Sequence, residues 1–264
     1  MSLVAEVRSN LLHAMECFTR AKNESETRQM PGLEITNAAV RSPVFNASFL
    51  TEPVGGDPVE LDRRASMAKV YYDARGLDWS LWLFDELLEP SLRKSAKSVL
   101  AARGLTAVTE CPGMTAEEVV PTRRRLPDLE FRRVGDLSTR LAFCHITSVC
   151  FRIPFSTSVE IYNSPATWET GFKAHIGYLD GEPVATAATV DAAGVIGLYS
   201  VATLPDYQKR GIGECITRYV LEEARNNGRG KPMVLQSTRH GGGIYRYIGF
   251  RPVSRIRIFV AQQT

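Results

Sequence analysis

Long apolar runs, metal-ligand clusters and cysteine pairs are all missing from this 264-residue sequence. No apolar stretch approaches the ~20 residues that a membrane-spanning helix needs. Glu6 and Arg8 interrupt the N-terminal region where a secretory leader would be apolar. The five cysteines form no C-x-x-C pair and no zinc-type spacing with the four histidines. We therefore expect a cytoplasmic protein with reduced cysteines, no bound metal and no membrane partner.

The chain has no strong excess of positive or negative residues, but its charged residues are unevenly distributed between the two halves. The formal charge of +3 divides into −4 for residues 1–120 and +7 for residues 121–264. A basic half suggests contact with an anionic ligand, although a chance excess of arginine on a solvated surface would give the same count. Hydrophobic residues make up 44% of the chain, which is enough to build a core and excludes a disordered protein.

Two domains are indicated by the chain length and by one segment rich in proline and arginine. Domains of ~150 residues are typical, and this chain is longer. The segment 111–128 contains three prolines, a glycine and the basic triplet Arg123–Arg125. We interpret it as a linker between domains at residues 1–120 and 128–264. The triplet suits either a solvated linker or a nucleic-acid contact, and we favour the linker.

The second half has the clearer pattern of strands and helices. A helix is predicted over residues 211–227, because its apolar positions follow the i, i+3, i+4, i+7 spacing, and Gly228 suits its C-cap. The dipeptide Asp180-Gly181 predicts a hairpin turn. The other predicted elements are strands at 129–134, 172–179, 183–190, 195–203 and 233–237, helices at 136–150, 156–168 and 242–247, and a strand pair within 251–261.

The first half is less regular, but one segment resembles a later one. Residues 96–108 and 242–253 both read as the end of a helix, a glycine, a bulky apolar residue and a strand. This indicates a weak internal repeat, although the same order is common in unrelated α/β proteins. The predicted elements of this half are helices at 3–22, 60–75 and 91–103 and strands near 33–50 and at 79–84.

The most informative segment is the loop from Gln208 to Gly213, which follows an apolar strand and opens the predicted helix. The first N–H groups of a helix lack intrahelical partners and carry partial positive charge. Glycines let a phosphate approach the backbone closely, and Lys209 and Arg210 add full positive charges. The loop has neither the Walker A spacing nor the third glycine of a dinucleotide fingerprint. We therefore predict a phosphate-binding loop of another kind.

Gln208, Gly211 and Gly213 match the Q/R-x-x-G-x-G/A signature of the GCN5-related N-acetyltransferase (GNAT) superfamily, and Tyr245 to Phe250 resembles its later Y-x-x-x-G-F segment. The resemblance covers about residues 129–264. It implies an α/β (α+β) fold, with a mixed central sheet containing two splayed strands and flanked by helices. The first half has no such loop. With the weak repeat, this suggests two tandem GNAT-like halves, the N-terminal one degenerate and shaping the acceptor pocket.

The resemblance also implies an activity and a set of site residues. Acetyl-coenzyme A would donate an acetyl group to a primary amine of a small or amino-acid-like acceptor by direct attack. The backbone of Val201 and Thr203 would bind the pantetheine arm between the splayed strands. Tyr245 matches the tyrosine that protonates the departing thiolate. The pyrophosphate would be held by the loop residues Gln208, Lys209, Arg210, Gly211, Ile212, Gly213 and Glu214.

The general base is not identified by the sequence. An alkylamine of pKa ~10.4 is almost fully protonated at neutral pH, and the carboxylate that many relatives place on the strand before the loop is absent from residues 194–202. Glu160, His175, Tyr199 and a water chain remain candidates. Two other functions also stay open: a coenzyme A-binding sensor without turnover, and a nucleic-acid-associated protein using Arg123–Arg125 and Arg255–Arg257.

Overall fold

A computed structural model describes residues 2–227, 230–238 and 241–261. Its helices and strands alternate along the chain, and all of the strands join one sheet. The strands are β1 Glu26–Met30, β2 Leu33–Asn37, β3 Ala47–Leu50, β4 Trp79–Phe84, β5 Thr106–Ala116, β6 Glu130–Arg133, β7 Phe172–Leu179, β8 Glu182–Ala192, β9 Val195–Thr203, β10 Met233–Gln236 and β11 Arg251–Ala261. The helices are α1 Leu3–Phe18, α2 Pro58–Asp73, α3 Pro90–Ala101, α4 Leu137–Phe151, α5 Phe155–Tyr162, α6 Pro165–Trp168, α7 Ile212–Asn227 and α8 Gly242–Ile248.

The two halves of the chain repeat the same order of elements. In the first half, β1, β2 and β3 are antiparallel neighbours, and α2 leads to β4, which is parallel to β3. In the second half, β7, β8 and β9 are antiparallel, and α7 leads to β10, which is parallel to β9. Each repeat ends with a helix, a glycine of positive φ (Gly104 or Gly249) and a strand. The predicted repeat is therefore confirmed, as is the mixed, helix-flanked sheet.

The last strand of each half completes the sheet of the other half. The strand order is β1-β2-β3-β4-β11-β5-β10-β9-β8-β7-β6. Thus β5, from the first half, pairs with β10, while β11, from the second half, pairs with β4. The two exchanged strands also pair with each other along most of their length. The sheet consequently runs without interruption from one half into the other.

Several element boundaries differ from those predicted. The linker does not begin at Cys111, because residues 111–116 belong to β5, and residues 113–115 are paired on both edges. Residues 251–261 form one long strand instead of a strand pair, and α1 ends at Phe18. Strand β1 was not predicted because its polar residues are mostly exposed and lack alternation. The domain limits at residues 120 and 128 stay a prediction, and Gly228, the predicted C-cap, lies outside the described residues.

The predicted hairpin turn is confirmed by its backbone geometry. Asp180 and Gly181 connect β7 to β8, and their φ angles are +53° and +83°. Two successive positive φ angles are typical of the type I′ turn, whose twist matches that of the two flanking strands.

Helices cover both faces of the second half's sheet. On one face α7 buries its apolar stripe, including Ile216 and Val220, in a cluster with Leu235 of β10. On the other face α1, from the first half, packs beside α4 and α5, and the ring of Phe18 lies edge-on to Phe172 at 5.2 Å. The first half thus contributes a helix to the second half's core. No helix in residues 2–227, 230–238 or 241–261 is long and apolar enough to cross a membrane.

Candidate functional site

The two central strands of the second half separate partway along their length. β9 and β10 pair from Ile196–Met233 to Leu198–Leu235. Beyond that point β9 continues to Thr203, while β10 ends at Gln236 with its opposite edge still paired to β5. A gap therefore opens between the strands, as the resemblance implied.

A β-bulge in β9 lies at the closed end of this gap. Ala188 of β8 pairs with Tyr199 and Thr186 pairs with Ala202, so β9 has one extra residue between the two pairs. Ser200 lies in the bulge with a φ of +49°, and its carbonyl oxygen accepts a hydrogen bond of 2.8 Å from the Thr186 hydroxyl. Because a bulge bends its strand and increases the local twist, this contact helps to fix the direction in which β9 leaves β10.

The backbone of Val201 and Thr203 faces the gap. The amide of Leu204 donates to the carbonyl of Val184 in β8 at 3.0 Å. Alternate residues of a strand present their amides to opposite edges, so those of Val201 and Thr203 point away from β8. The Thr203 carbonyl accepts a hydrogen bond from Gln208 Nε2 at 3.0 Å, which anchors the predicted phosphate-binding loop at the mouth of the gap.

The loop itself has the conformation that its glycines allow. Lys209 and Gly211 have φ angles of +62° and +83°, in the left-handed region that favours glycine. Cys215 makes the first backbone bond of α7, to the Gly211 carbonyl at 3.0 Å. The amides of Ile212, Gly213 and Glu214 precede that bond, so they have no intrahelical acceptor and remain available for an anion.

Gly213 is also required by the closeness of α7 to β9. A Cβ at this position would lie 3.3 Å from Thr203 Oγ1 and 3.9 Å from Ile244 Cδ1. The first of these distances is tighter than ordinary van der Waals contact. Glycine therefore keeps the start of α7 close to the mouth of the gap and keeps its amides uncovered.

Glu214 contributes its side chain to the structure of the loop. The carboxylate is fully buried and accepts hydrogen bonds from Arg124 Nε at 2.9 Å and Arg218 Nε at 2.8 Å. Burial raises the pKa of Glu214, but the bonds from Arg218 and Arg124 outweigh it and hold the pKa below its usual range. Only the backbone amide of Glu214 is thus free to bind a ligand.

The arginines considered for nucleic-acid binding are largely engaged within the chain. Arg124 is bonded to Glu214, so this part of the triplet is not simply solvated. Arg255 pairs with Glu110 at 2.6 Å, and the buried Arg257 pairs with Asp85 at 2.6 Å. These ion pairs reduce the positive charge available to a polyanion.

Tyr245 lies on α8, the helix that follows β10. Its ring is edge-on to Phe250 at 6.1 Å, and a Cβ on Gly241 would lie 2.9 Å from ring atom Cε2, so glycine leaves room for the ring. Its hydroxyl has no hydrogen-bond partner among the described residues. Burial raises the pKa of Tyr245 to about 12. The phenol is therefore protonated and able to donate at neutral pH.

Only one of the three side-chain candidates for the general base lies at the gap. Glu160 forms an ion pair with Lys22 at 2.8 Å. His175 is buried on β7 against α7, 3.2 Å from Glu223, and burial lowers its pKa. Tyr199 lies where β9 and β10 separate, but its hydroxyl already donates a hydrogen bond to Asn10 Oδ1 at 2.6 Å.

Two residues at the gap were not predicted, namely Asn10 and Gln236. Asn10, on α1, is fully buried against β9, and a Cβ on Gly197 would lie only 1.8 Å from its Oδ1 atom. The signal in the sequence was Gly197 itself, a glycine inside an otherwise apolar strand, which indicates close approach by another group. Gln236 gave no signal, because a polar residue at the end of a short strand is ordinary.

The equivalent gap in the first half is closed by the chain itself. After β3, Val54 forms a parallel bridge with Leu88, and its amide donates to the Leu87 carbonyl at 2.7 Å. The N-terminus of α2 is capped by the Asp57 carboxylate, which accepts from the Val59 amide at 2.9 Å. This half therefore offers neither an open gap nor an uncapped helix start.

A cavity with a volume of about 570 Å³ is separate from the gap. It lies at the β8–β9 turn, the opposite end of β9 from the loop at residues 208–213, and His13, Glu16 and Asp191 are among its lining residues. No group of three or more His, Cys, Asp or Glu side chains in the described ranges could hold a metal ion.

Comparison with known proteins agrees with this geometry. Residues 171–252 match the sequence model of a family described as the acetyltransferase (GNAT) domain. The matched segment runs from the residue before β7 into β11 and includes the gap, the loop and α8. No curated protein sequence matches the chain.

Several solved structures share the fold over nearly the whole chain. A GCN5-related N-acetyltransferase from Kribbella flavida is 20% identical, with a TM-score of 0.69 over 96% of this chain and 95% of its own. One from Sphaerobacter thermophilus is 14% identical, with a TM-score of 0.55 over 87% and 76%. A tandem GNAT protein from the clavulanic acid biosynthesis pathway is 10% identical, with a TM-score of 0.53 over 88% and 78%. The domain match identifies residues 171–252 as similar to the acetyltransferase (GNAT) family, and the structural matches show that the chain as a whole shares the fold of tandem GNAT proteins.

Proposed function

We propose that this protein is an N-acetyltransferase that transfers an acetyl group from acetyl-coenzyme A to the primary amine of a small or amino-acid-like molecule. The observation that carries the proposal is the continuity between the gap at β9 and the uncapped start of α7. An elongated ligand with an anionic end fits that combination, and acetyl-coenzyme A supplies an activated acyl group as a thioester.

The residues at the gap and loop suit the two chemically different parts of such a ligand. The amides of Val201 and Thr203 lie on the open edge of β9, where the amide groups of a pantetheine arm can pair as a further strand would. The pyrophosphate requires several N–H donors in a small space. Those donors would be the amides of Lys209 to Glu214, supported by the positive charges of Lys209 and Arg210 and by the anchor that Gln208 makes to Thr203.

Tyr245 would supply the proton for the departing thiolate. Because burial raises its pKa to about 12, the phenol retains its proton over the whole physiological pH range. A thiol has a pKa near ~8.5 in water, so the thiolate gains a proton from Tyr245 readily only if the site also favours the resulting phenolate. The bound ligand and the partial positive charges at nearby helix N-termini would change the difference in pKa between the thiol and the phenol.

The proposed setting is the cytoplasm, with no metal and no nucleic-acid partner. All five cysteines are free thiols, which supports a reducing compartment. The ion pairs of Arg124, Arg255 and Arg257 support a small-molecule acceptor over a nucleic acid.

The test combines a binding measurement with a turnover measurement. Coenzyme A and acetyl-coenzyme A should both raise the melting temperature, and release of free thiol from acetyl-coenzyme A should accelerate with at least one amine of a panel of amino acids, amino-acid amides and amino sugars. Stabilisation without thiol release from any amine would instead indicate a sensor. Absence of stabilisation by either ligand would overturn the assignment of the gap.

A further inference from the structure

Gln236 places an unsatisfied hydrogen-bond donor at the closed end of the gap. It is the last residue of β10 and follows directly after the final pair of β9 and β10, Leu198–Leu235. Its Nε2 atom is buried and has no hydrogen-bond partner in the part of the chain that the structure describes. A buried amide nitrogen without an acceptor costs about 1–3 kcal/mol, so the arrangement calls for an explanation.

The neighbouring tyrosine determines which end of the Gln236 carboxamide faces the tyrosine hydroxyl. Tyr199 follows Leu198 and Gln236 follows Leu235 in two strands that are paired at those residues, so Tyr199 and Gln236 are neighbours where the strands separate. Burial raises the pKa of Tyr199, and the Gln236 side chain partly offsets this. The Tyr199 hydroxyl uses its hydrogen to donate a hydrogen bond to Asn10 Oδ1 at 2.6 Å. Its oxygen can therefore act toward Gln236 only as an acceptor, and this selects the Nε2 end of the carboxamide.

Asn10 fixes this arrangement from the other half of the chain. Its Nδ2 atom lies within hydrogen-bond distance of the carbonyls of Val190, Ala192 and Val195, at 3.0, 3.0 and 3.2 Å. Because Nδ2 is a donor, these contacts leave Oδ1 as the only end that can face Tyr199. The first half thus sets the orientation of a hydroxyl at the second half's gap.

We propose that Gln236 Nε2 donates a hydrogen bond to the carbonyl oxygen of the bound acyl thioester, with Asn10 and Tyr199 as positioning residues. The inference rests on the proposed function and adds a side-chain donor to it. An NH₂ group has two donors and no acceptor capacity, so one N–H can face Tyr199 and the other a ligand oxygen. In a thioester ligand whose pantetheine amides pair with Val201 and Thr203, the oxygen nearest the closed end is the acyl carbonyl.

Such a donor would matter most when negative charge develops on that oxygen. A preorganised N–H at this point stabilises the developing charge more than the neutral carbonyl, and this difference lowers the barrier. Gln236 would then be a catalytic residue, since it touches the reacting group.

The test uses two unreactive ligands that differ only in the carbonyl group. S-(2-oxopropyl)-coenzyme A keeps the oxygen, and S-propyl-coenzyme A lacks it. Isothermal titration should show that the wild-type protein prefers the oxopropyl ligand and that Gln236→Met reduces this preference about fivefold, the size of one neutral hydrogen bond. Gln29→Met, on the exposed strand β1, is the matched control and should keep the full preference.

The outcomes separate this inference from the proposed function. If neither ligand binds the wild-type protein, the proposed function is wrong. If both bind equally well, or if Gln236→Met retains the full preference, the inference is wrong while the proposed function stands. Unchanged affinity for S-propyl-coenzyme A shows that the variant is folded. If Gln236→Met binds neither ligand, the smaller change Gln236→Asn replaces it in the test, because it moves the amide back by one methylene. A full preference of Gln236→Asn for the oxopropyl ligand would overturn the inference, and a reduced preference would support it.

Discussion

The Tyr199 hydroxyl and the Asn10 side chain are joined by a hydrogen bond of 2.6 Å across 189 positions of sequence. The bond connects α1 to the strand that borders the gap, so the first half of the chain takes part in the structure of the site. Since Gly197 leaves the space into which Asn10 Oδ1 projects, three residues from two distant segments form a single unit.

Loss of the Asn10 side chain should destabilise the whole protein. In Asn10→Ala, the carbonyls of Val190, Ala192 and Val195 and the Tyr199 hydroxyl lose a buried partner, and each such loss costs about 1–3 kcal/mol before relaxation. We expect the free energy of unfolding in urea to fall by about 3 kcal/mol. Asn23→Ala, at an exposed position, should change it by less than ~0.5 kcal/mol, and an equal effect of both variants would contradict the role assigned to Asn10.

A side chain at position 213 should prevent coenzyme A binding without unfolding the protein. Gly213→Val places methyl groups over the amides at the start of α7, where a Cβ alone would already lie 3.3 Å from Thr203 Oγ1. We expect the rise in melting temperature caused by coenzyme A to disappear while the far-ultraviolet circular dichroism spectrum is retained. Gly135→Val, at an exposed position with no heavy atom within 4 Å of its Cβ, is the control and should respond to coenzyme A normally.

Tyr245→Phe should slow turnover and leave ligand affinity almost unchanged. Removal of a general acid typically reduces the rate by about 10²–10⁴-fold, so we expect kcat to fall at least ~100-fold. Tyr247→Phe is the control on the same helix. It removes a hydroxyl that accepts a hydrogen bond from the Arg123 amide, and it should leave kcat nearly unchanged. Because burial raises the pKa of Tyr245 to about 12, ionisation of this phenol should cause no loss of rate as the pH rises from 8 to 10. A normal rate in Tyr245→Phe would show that the residue is structural.

The stabilisation that Glu214 provides should depend on pH. Its pKa is lower in the folded than in the unfolded protein, so its contribution is complete above the unfolded value of 4.5 and is lost as the pH falls through the folded value. We expect Glu214→Gln to reduce the free energy of unfolding at pH 7, and the difference from wild type to shrink below pH ~4. Glu222→Gln, an exposed position on the same helix, is the control. A difference that stays constant with pH would show that the ion pairs with Arg124 and Arg218 do not stabilise the fold.

The protein should bind one coenzyme A per chain. The Val54–Leu88 bridge occupies the place in the first half that corresponds to the gap, and Asp57 already caps α2. Isothermal titration should therefore give a stoichiometry of one, and Gly213→Val should abolish all of the binding heat. A second binding event that survives in Gly213→Val would show that the first half has kept a site.

Features encoded by neighbouring residues could be read from the sequence, and those that join distant segments could not. The loop at Gln208–Gly213, the Asp180-Gly181 turn and the α7 stripe each follow from a few consecutive residues whose conformational preferences are strong. Strand exchange between β5 and β11 depends on which edges meet in space, and no short pattern reports that. Cys111 to Ala116 looked like a linker because Pro112 and Gly113 are unusual in a strand, and pairing on both edges overrode that preference.

The exchange of β5 and β11 also has a consequence for synthesis of the protein. While the ribosome has made only the first half, β4 lacks its neighbour on one side, and that neighbour is supplied by residues 251–261. An open strand edge invites pairing with other nascent chains. The first half therefore cannot complete its sheet during its own translation, and the two halves must reach the native state together, after β11 has left the exit tunnel.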